Sequence, residues 1–148
     1  MTHTDDDTVL ALAIFDLLDT NKSALGLELI LYGYHTLIPT STAAVVMARG
    51  NTKTLAGVQG PGGRTLNNLM VGIDIHRSKV GDESTERIVV DETSKSVMSL
   101  VHADTTVGSL IIHGFFDRTD RGDTSFMNGS MFRTVVMSFT GVTKTLIQ

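Results

Sequence analysis

The chain has 148 residues and a mass of 15.9 kDa, which suits one domain. Hydrophobic residues make up 41% of it and charged residues 19%, a composition typical of a globular protein and not of a disordered one. Without cysteine it has no disulfide, thiolate zinc site or cysteine nucleophile, and its net charge of −4 gives no general attraction to nucleic acid.

The first predicted element is an amphipathic helix over residues 7–20. Its apolar residues recur at the intervals of three, four, seven and eight that place them on one helical face. The acidic run at residues 5–7 precedes it. We interpret these carboxylates as caps of a solvated helix start and not as a metal site. Because the N-terminal segment is acidic and not basic, we expect no secretory signal. The apolar positions are Val9, Leu10, Ala13, Ile14, Leu17 and Leu18.

Three strands are predicted in the first half of the chain, at residues 27–37, 43–49 and 69–77. Gly33 allows a bend in the first of them, and Pro39 begins the turn that follows it. The third strand alternates as a half-buried strand does. Its apolar face carries Leu69, Val71, Ile73 and Ile75, and its polar face carries Asp74 and His76.

The segment at residues 50–68 is predicted to be a flexible arm or loop. Its glycines and its proline exclude a stable helix or a central strand. No acidic residue occurs between Leu29 and Ile73, whereas Arg49, Lys53 and Arg64 are basic. Loops longer than about 12–15 residues are usually functional or disordered. The pattern therefore predicts a positively charged arm that becomes ordered against a partner. It does not predict a nucleotide site, because the lysine of a phosphate-binding loop is missing.

A second helix is predicted to start at Asp82 and to end in a corner at residues 105–108. Carboxylates crowd its first turn, where they favour a helix N-terminus. The run Ile88–Val90 taken alone resembles a strand, so a start at Asp91 is an alternative. Gly108 can supply the left-handed conformation that the corner needs. The apolar face carries Val90, Val97, Leu100 and Val101.

The rest of the chain is predicted to be a β-hairpin. Its strands occupy residues 109–116 and 131–140, and the charged segment 117–125 forms its tip. The predicted fold class is therefore α+β, a small, mostly antiparallel sheet with two helices packed on one face and a long glycine-rich loop. We predict a single domain over residues 1–148. No segment approaches the roughly 20 apolar residues of a membrane span.

Two pairs of an acid and a histidine stand two residues apart, Asp74 with His76 and His102 with Asp104. On a strand, Asp74 and His76 share a face and could share a hydrogen bond or a metal ion, although a solvent-facing polar edge explains them as well. No serine-nucleophile, metalloprotease or dinucleotide motif occurs. We therefore predict no catalytic residue, cofactor or metal, and keep a small metal-binding or enzymatic domain on these four residues as an alternative.

The second half of the sequence resembles a known family. The run SVMSLVHADTTVGSLIIHGFFDRTDRG at residues 96–122, followed by the strand MFRTVVMSFTG with Arg133 near its start, looks like the C-terminal half of tail terminator (tail completion) proteins of long-tailed phages. The resemblance covers residues 93–140 in residue pattern and most of the chain in the order of its elements.

The resemblance implies a structural protein and not an enzyme. Such proteins form a hexameric ring at the head-proximal end of the tail tube, end its polymerisation and offer a docking face to the head-side connector or stopper protein. Genomic DNA passes through the lumen without sequence-specific contact. The implied location is the tail neck of a virion, after synthesis in the host bacterial cytoplasm. The alternative within the neck is a head-closure or stopper protein, which is usually β-barrel-like and lacks two packed helices.

The contacts with neighbouring subunits or with the tube are predicted in the basic arm, in the charged tip and in the last strand. Heterologous contacts between identical copies can close into a ring. The predicted contact residues are Arg49, Lys53, Arg64, Asp117, Arg118, Asp120, Arg121, Asp123 and Arg133.

Overall fold

The computed structural model describes residues 6–33, 42–56, 64–78, 83–104, 106–125 and 131–146. This part of the chain forms three helices and five strands. Within it, no helix is both long enough and apolar enough to cross a membrane. In chain order the elements are α1 (Asp7–Thr20), α2 (Lys22–Leu25), β1 (Leu29–Tyr32), β2 (Thr42–Ala56), β3 (Arg64–Ser78), α3 (Glu83–His102), β4 (His113–Ser125) and β5 (Met131–Leu146).

The strands form one sheet in the order β1-β2-β3-β5-β4. β1 runs parallel to β2, whereas the pairings of β2 with β3, β3 with β5 and β5 with β4 are antiparallel. The predicted α+β class with a mostly antiparallel sheet is confirmed. β3 is the central strand, and all of its residues from 64 to 78 pair with β5.

Helix α1 has the predicted bounds, Asp7–Thr20. The Asp6 side chain caps it by accepting a hydrogen bond of 2.9 Å from the backbone N–H of Thr8. The buried face of α1 is slightly rotated relative to the predicted apolar face. Successive helical residues lie about 100° apart, and Val9 falls outside the stripe that faces the sheet. The buried residues of α1 are Leu10, Ala11, Ile14 and Leu18.

Helix α3 begins at Glu83, so the alternative start at Asp91 is wrong. The β-branched run Ile88–Val90 is helical because Val90 is buried in the core, and tertiary packing outweighs a weak local preference for strand. Val97 and Val101 are buried on the same face as predicted, while Leu100 is half-buried.

Both long helices cover the same face of the sheet. α1 packs over β1, β2 and β3, and α3 packs over β3, β5 and β4. The predicted apolar face of β3 is confirmed, because its alternate side chains lie in the core between these two layers. The buried residues that the sheet contributes include Leu69, Val71, Ile73 and Ile75 of β3 and Val135, Met137 and Phe139 of β5.

The predicted loop at residues 50–68 is wrong over most of its length. Residues 50–56 continue β2 and residues 64–68 begin β3, while the residues between them lie outside the described part. Gly50 is tolerated because it stands at a register shift with a φ of 110°, a conformation open to glycine. The first residues of β3 are paired on both sides, with β2 and with the end of β5.

The predicted charged tip at residues 117–125 is also wrong, because these residues belong to strand β4. β4 begins at His113, and residues 109–112 of the predicted strand form turns instead. A strand rich in charges fits this position because β4 is an edge strand of the sheet that the described residues form.

Asp104 holds the corner between α3 and β4. Its carboxylate accepts hydrogen bonds from the backbone N–H of Gly108 at 2.7 Å and of Thr106 at 3.0 Å. These bonds, the one from Gly108 above all, lower the pKa of Asp104. They stabilise positive φ angles of 46° at Val107, 67° at Gly108 and 68° at Ser109. The predicted left-handed Gly108 is confirmed.

Candidate functional site

One candidate assembly surface is the open side of β2. In the described part of the chain, β1 pairs with β2 only at residues 43–46, so the outer side of β2 has no strand beside it from residue 47 to 56. We refer to residues 50–56 and 64–68 as the hairpin arm. The side chains of residues 51–55 are exposed. The backbone N–H of Gly50 donates a hydrogen bond of 2.7 Å to the Asp7 Oδ2 of α1. A strand side without a neighbouring strand is a template for pairing with another chain.

The predicted basic residues do not all lie along this surface. Arg49 crosses Gly72 of β3, where a Cβ atom would fall 1.9 Å from the arginine Nε, and its Nη2 lies 3.5 Å from the Oδ1 of Asp74. A glycine at residue 72 therefore makes room for the guanidinium group. Lys53 is exposed in the hairpin arm. Arg64 is the first residue of β3, and its side chain lies outside the described part.

The second candidate surface is the outer side of β4. Asp117 is exposed and stands at a register shift of the strand. Arg118 and Asp120 are exposed and form an ion pair of 2.6 Å. Asp123 is the register partner of Arg133 on β5, and its own side chain is not described. This surface therefore carries charges of both signs. The hairpin arm, towards the other end of the strand order, carries basic residues and no acidic one.

A cavity of about 300 Å³ opens between α3 and the strands β4 and β5. Its charged lining residues, as far as the structure describes them, are Arg87, Asp91, Arg121 and Arg133. The Arg121 Nε donates a hydrogen bond of 2.7 Å to the Oδ1 of Asp91. Arg133 differs from the other predicted contact residues whose side chains the structure describes, because it is buried, with 6% exposed. A neighbouring molecule would reach Arg133 through this cavity.

A partly buried ion pair fixes α3 above the sheet beside this cavity. The Arg77 Nε on β3 donates to Glu86 on α3, and the Arg77 Nη1 donates to the Oγ1 of Thr42 on β2 at 2.7 Å. Arg77 and Arg133 are register partners on β3 and β5. Since Glu86 is next to Arg87 in the helix, this pair also positions Arg87 at the cavity.

The four residues of the metal alternative do not come together. Asp74 and His76 share a face of β3 as predicted, but that face is buried and not solvent-facing. The His102 ring instead contacts Phe116, which packs against the core, with ring centroids 5.1 Å apart. The Asp104 carboxylate is engaged in the corner. Within the described ranges, no three His, Cys, Asp or Glu side chains are placed to hold a metal ion.

Burial of His76 makes the stability of the protein depend on pH. Burial lowers the pKa of His76, although the nearby Asp74 carboxylate acts in the opposite direction. Its Nδ1 lies 2.9 Å from the Thr134 Oγ1. In the unfolded chain the pKa returns to about 6.5, so below this pH the unfolded chain takes up a proton before the folded chain does. We expect the free energy of unfolding to be highest above pH 6.5 or so and to fall as the pH drops below it.

Urea unfolding at pH values of about 7.5 and 5.5 measures this dependence. The His76→Gln variant should show a smaller loss of stability on acidification than the wild type. His113→Gln removes an exposed histidine from β4 and should leave the loss unchanged. Equal losses in the wild type and in His76→Gln would contradict the assignment to His76.

Several residues at the cavity and on the outer sides of the helices were not predicted. Arg87 and Asp91 are four apart on α3, a spacing that places them on one side of a helix and gives a signal for a charged cluster. Leu12 of α1 and Ile88 of α3 are large, apolar and exposed. The signal in α1 is that Val9 and Leu12 lie outside the spacing of four that joins its buried residues.

Comparison with known proteins relates the chain to others by its fold alone. Neither a protein-family model nor a curated protein sequence matches it. Among solved structures, it is similar to a chain of the virion of a native gene transfer agent (GTA) particle, with a TM-score of 0.52 and 12% sequence identity. The match covers 91% of this chain and 96% of the other, so the two chains have a common fold over almost their whole lengths.

Proposed function

We propose that this protein is a structural virion protein of the tail neck. In this role, copies of the chain form a ring of six at the head-proximal end of a phage tail tube. The ring ends polymerisation of the tube and joins the tail to the head-side connector or stopper protein. The chain acts through its surfaces and catalyses no reaction.

The fold match is the observation that carries the proposal. The similar chain belongs to a virion particle, and the match extends over 91% of this chain and not only over a local motif. The resemblance of residues 96–122 and 131–141 to tail terminator proteins is independent of that match and agrees with it.

The open strand sides support assembly into a ring. β2 and β4 lie towards opposite ends of the strand order, and each leaves an outer side open in the described part. Two different surfaces on opposite sides of a subunit are what a head-to-tail ring requires. DNA would pass through the lumen without base-specific contact, and a chain with a net charge of −4 would offer its phosphate groups no general attraction.

The helix layer favours a tail terminator over a head-closure or stopper protein. That alternative is expected to be β-barrel-like, without two helices packed on a sheet. Here α1 and α3 both pack on one face of an open sheet. The observation therefore supports the first role within the neck.

Labelling of this protein in purified particles tests the proposal. An affinity tag carried by the protein and decorated with gold should be seen by electron microscopy at the junction of head and tail. Label over the capsid shell or at the distal tip of the tail would overturn the proposal, and so would particles that contain none of the protein.

The segment at residues 57–63 offers a prediction for the hairpin arm. Ala56 and Arg64 are register partners, so a two-residue Asn-Gly turn can join them directly. We expect this replacement to leave the unfolding midpoint unchanged but to reduce the joining of heads to tails. Counting joined particles by electron microscopy, in cells that carry only the variant, measures the effect.

The segment between β4 and β5 provides a matched control. Ser125 and Met131 are also register partners, and the same Asn-Gly turn can replace residues 126–130. This variant should join heads and tails as the wild type does. Normal joining by the variant that lacks residues 57–63, or its failure to fold, would contradict a role of the arm in assembly.

A further inference from the structure

Helix α1 carries an exposed stripe on the side away from the sheet. Val9, Leu12, Asp16 and Asp19 follow one another at intervals of three, four and three, so they lie on one side of the helix. All four are exposed, and Val9 and Leu12 are 41% and 44% exposed. We refer to these residues as the outer stripe. The outer stripe thus consists of two apolar side chains and two carboxylates, and the helix contains no basic residue.

The cavity between α3, β4 and β5 has the complementary character. Its lining carries three guanidinium groups, of Arg87, Arg121 and Arg133, and the single carboxylate of Asp91 among the described residues. Arginine keeps its charge at any pH met in a cell, and its planar fork matches a carboxylate. Ile88, next to Arg87 on α3, is 57% exposed. Ile88 does not line the cavity, because successive helical residues point about 100° apart, but it exposes an apolar side chain on the same turn of α3.

The two features lie at different ends of the molecule. The outer stripe belongs to α1, which packs over β1, β2 and β3. The cavity lies over β4 and β5, at the other end of the strand order. A surface at one end that complements a surface at the other end is the arrangement that joins identical copies head to tail.

We infer that the arginine-lined cavity receives the acidic outer stripe of α1 from a second copy of this chain. In this contact Asp16 approaches Arg87, and Leu12 covers Ile88. Burial of the apolar pair removes water from around the ion pair, which strengthens the attraction between the charges. The inference rests on the proposed ring and identifies the contact between its subunits.

DNA is the less suitable occupant. Its phosphates need a continuous basic track, whereas this cavity is compact and contains the Asp91 carboxylate. The exposed Ile88 on the same turn of α3 as Arg87 also suits a protein surface better than a phosphate backbone.

Charge exchange tests the contact. Arg87→Glu and Asp16→Arg should each lower the number of joined particles by about tenfold or more, since like charges would then meet at every subunit contact. The variant that carries both substitutions restores an attractive pair and should recover joining. Lys95→Glu reverses an exposed charge two helical turns away on α3 and should have little effect. Unfolding midpoints of all variants show whether each one folds.

Cross-linking provides a second measurement. Because the natural chain has no cysteine, Asp16→Cys together with Arg87→Cys introduces the only thiol pair. A short bismaleimide should then link copies in assembled particles into a ladder of multimers, while Asp16→Cys with Lys95→Cys should give less.

Three results would overturn the inference. One is that the Arg87→Glu variant joins heads to tails at the wild-type level. Another is that the variant carrying both Arg87→Glu and Asp16→Arg fails to restore joining. The third is loss of DNA binding in Arg87→Glu with no effect of Asp16→Arg, which would identify DNA as the occupant. If labelling still places the protein at the neck, the proposed function survives these results and the subunit contact alone is wrong.

Discussion

Replacing Phe139 with alanine should lower the free energy of unfolding by about 3–5 kcal/mol. The Phe139 ring is buried at the centre of the helix-covered face, with 1% exposed. It contacts the Phe116 ring at 5.1 Å between centroids and lies over Gly114, where a Cβ atom would fall 2.2 Å from its Cζ. Because the backbone of β4 forms one wall, the space left by the ring cannot collapse. A domain of this size has about 5–15 kcal/mol of stability, so the variant should be close to unfolding.

Phe115→Ala is the matched control. Phe115 precedes Phe116 on β4, and its side chain is 45% exposed. Its loss should cost less than about 1 kcal/mol, because little buried contact is removed. Urea unfolding of both purified variants, followed by circular dichroism, compares the two costs. A cost for Phe139→Ala no larger than that for Phe115→Ala would show that the ring is not part of a rigid core.

Replacing Arg77 with methionine should cost about 3–5 kcal/mol. Arg77 donates hydrogen bonds to Glu86 and to Thr42 and so joins α3 to two strands. The Glu86 side chain is only 9% exposed. Without the guanidinium group, its carboxylate loses the cation that offsets its removal from water, and the start of α3 should loosen above the sheet.

The double variant Arg77→Met, Glu86→Met distinguishes this explanation from a loss of packing. It removes the stranded carboxylate as well and should be more stable than Arg77→Met alone. Arg118→Met breaks the exposed pair with Asp120 and should cost no more than about 1 kcal/mol. A double variant less stable than the single one would show that charge burial is not the cause.

The helices and the core could be predicted because their signals are local. The spacing of Leu10, Ile14 and Leu18, with an acidic cap before it, defines α1 within one window of sequence. The alternation from Leu69 to Ile75 in the same way defines the face of β3 that meets the helices.

The lengths of the strands could not be predicted because their partners are distant. Residues 64–68 of β3 look like a loop by composition, but residues 142–146 of β5 pair with them and stabilise an extended backbone. Likewise, the charged segment 117–125 is a strand because β5 lies beside it. Pairing across such separations leaves no periodic signal within either segment.

The candidate site could be predicted only in part for the same reason. Arg121 and Arg133 were expected at an interface, and both line the cavity. Arg87 and Asp91 complete it from α3, and only the packing of that helix on β4 and β5 brings the four together. The outer stripe of α1 was concealed because Val9 appeared to belong to the apolar face that meets the sheet.

The continuity of β3 from the core into the hairpin arm has a mechanical consequence. At about 3.4 Å per residue, its 15 residues extend about 50 Å. β5 pairs with all of them, and β2 pairs with residues 64–77 with one register shift at Gly50. Such an arm behaves as a stiff lever and not as a tether. A molecule bound to the far end of the arm would transmit its displacement directly to the centre of the subunit. The length of β3 would set the distance between that molecule and the centre of the subunit.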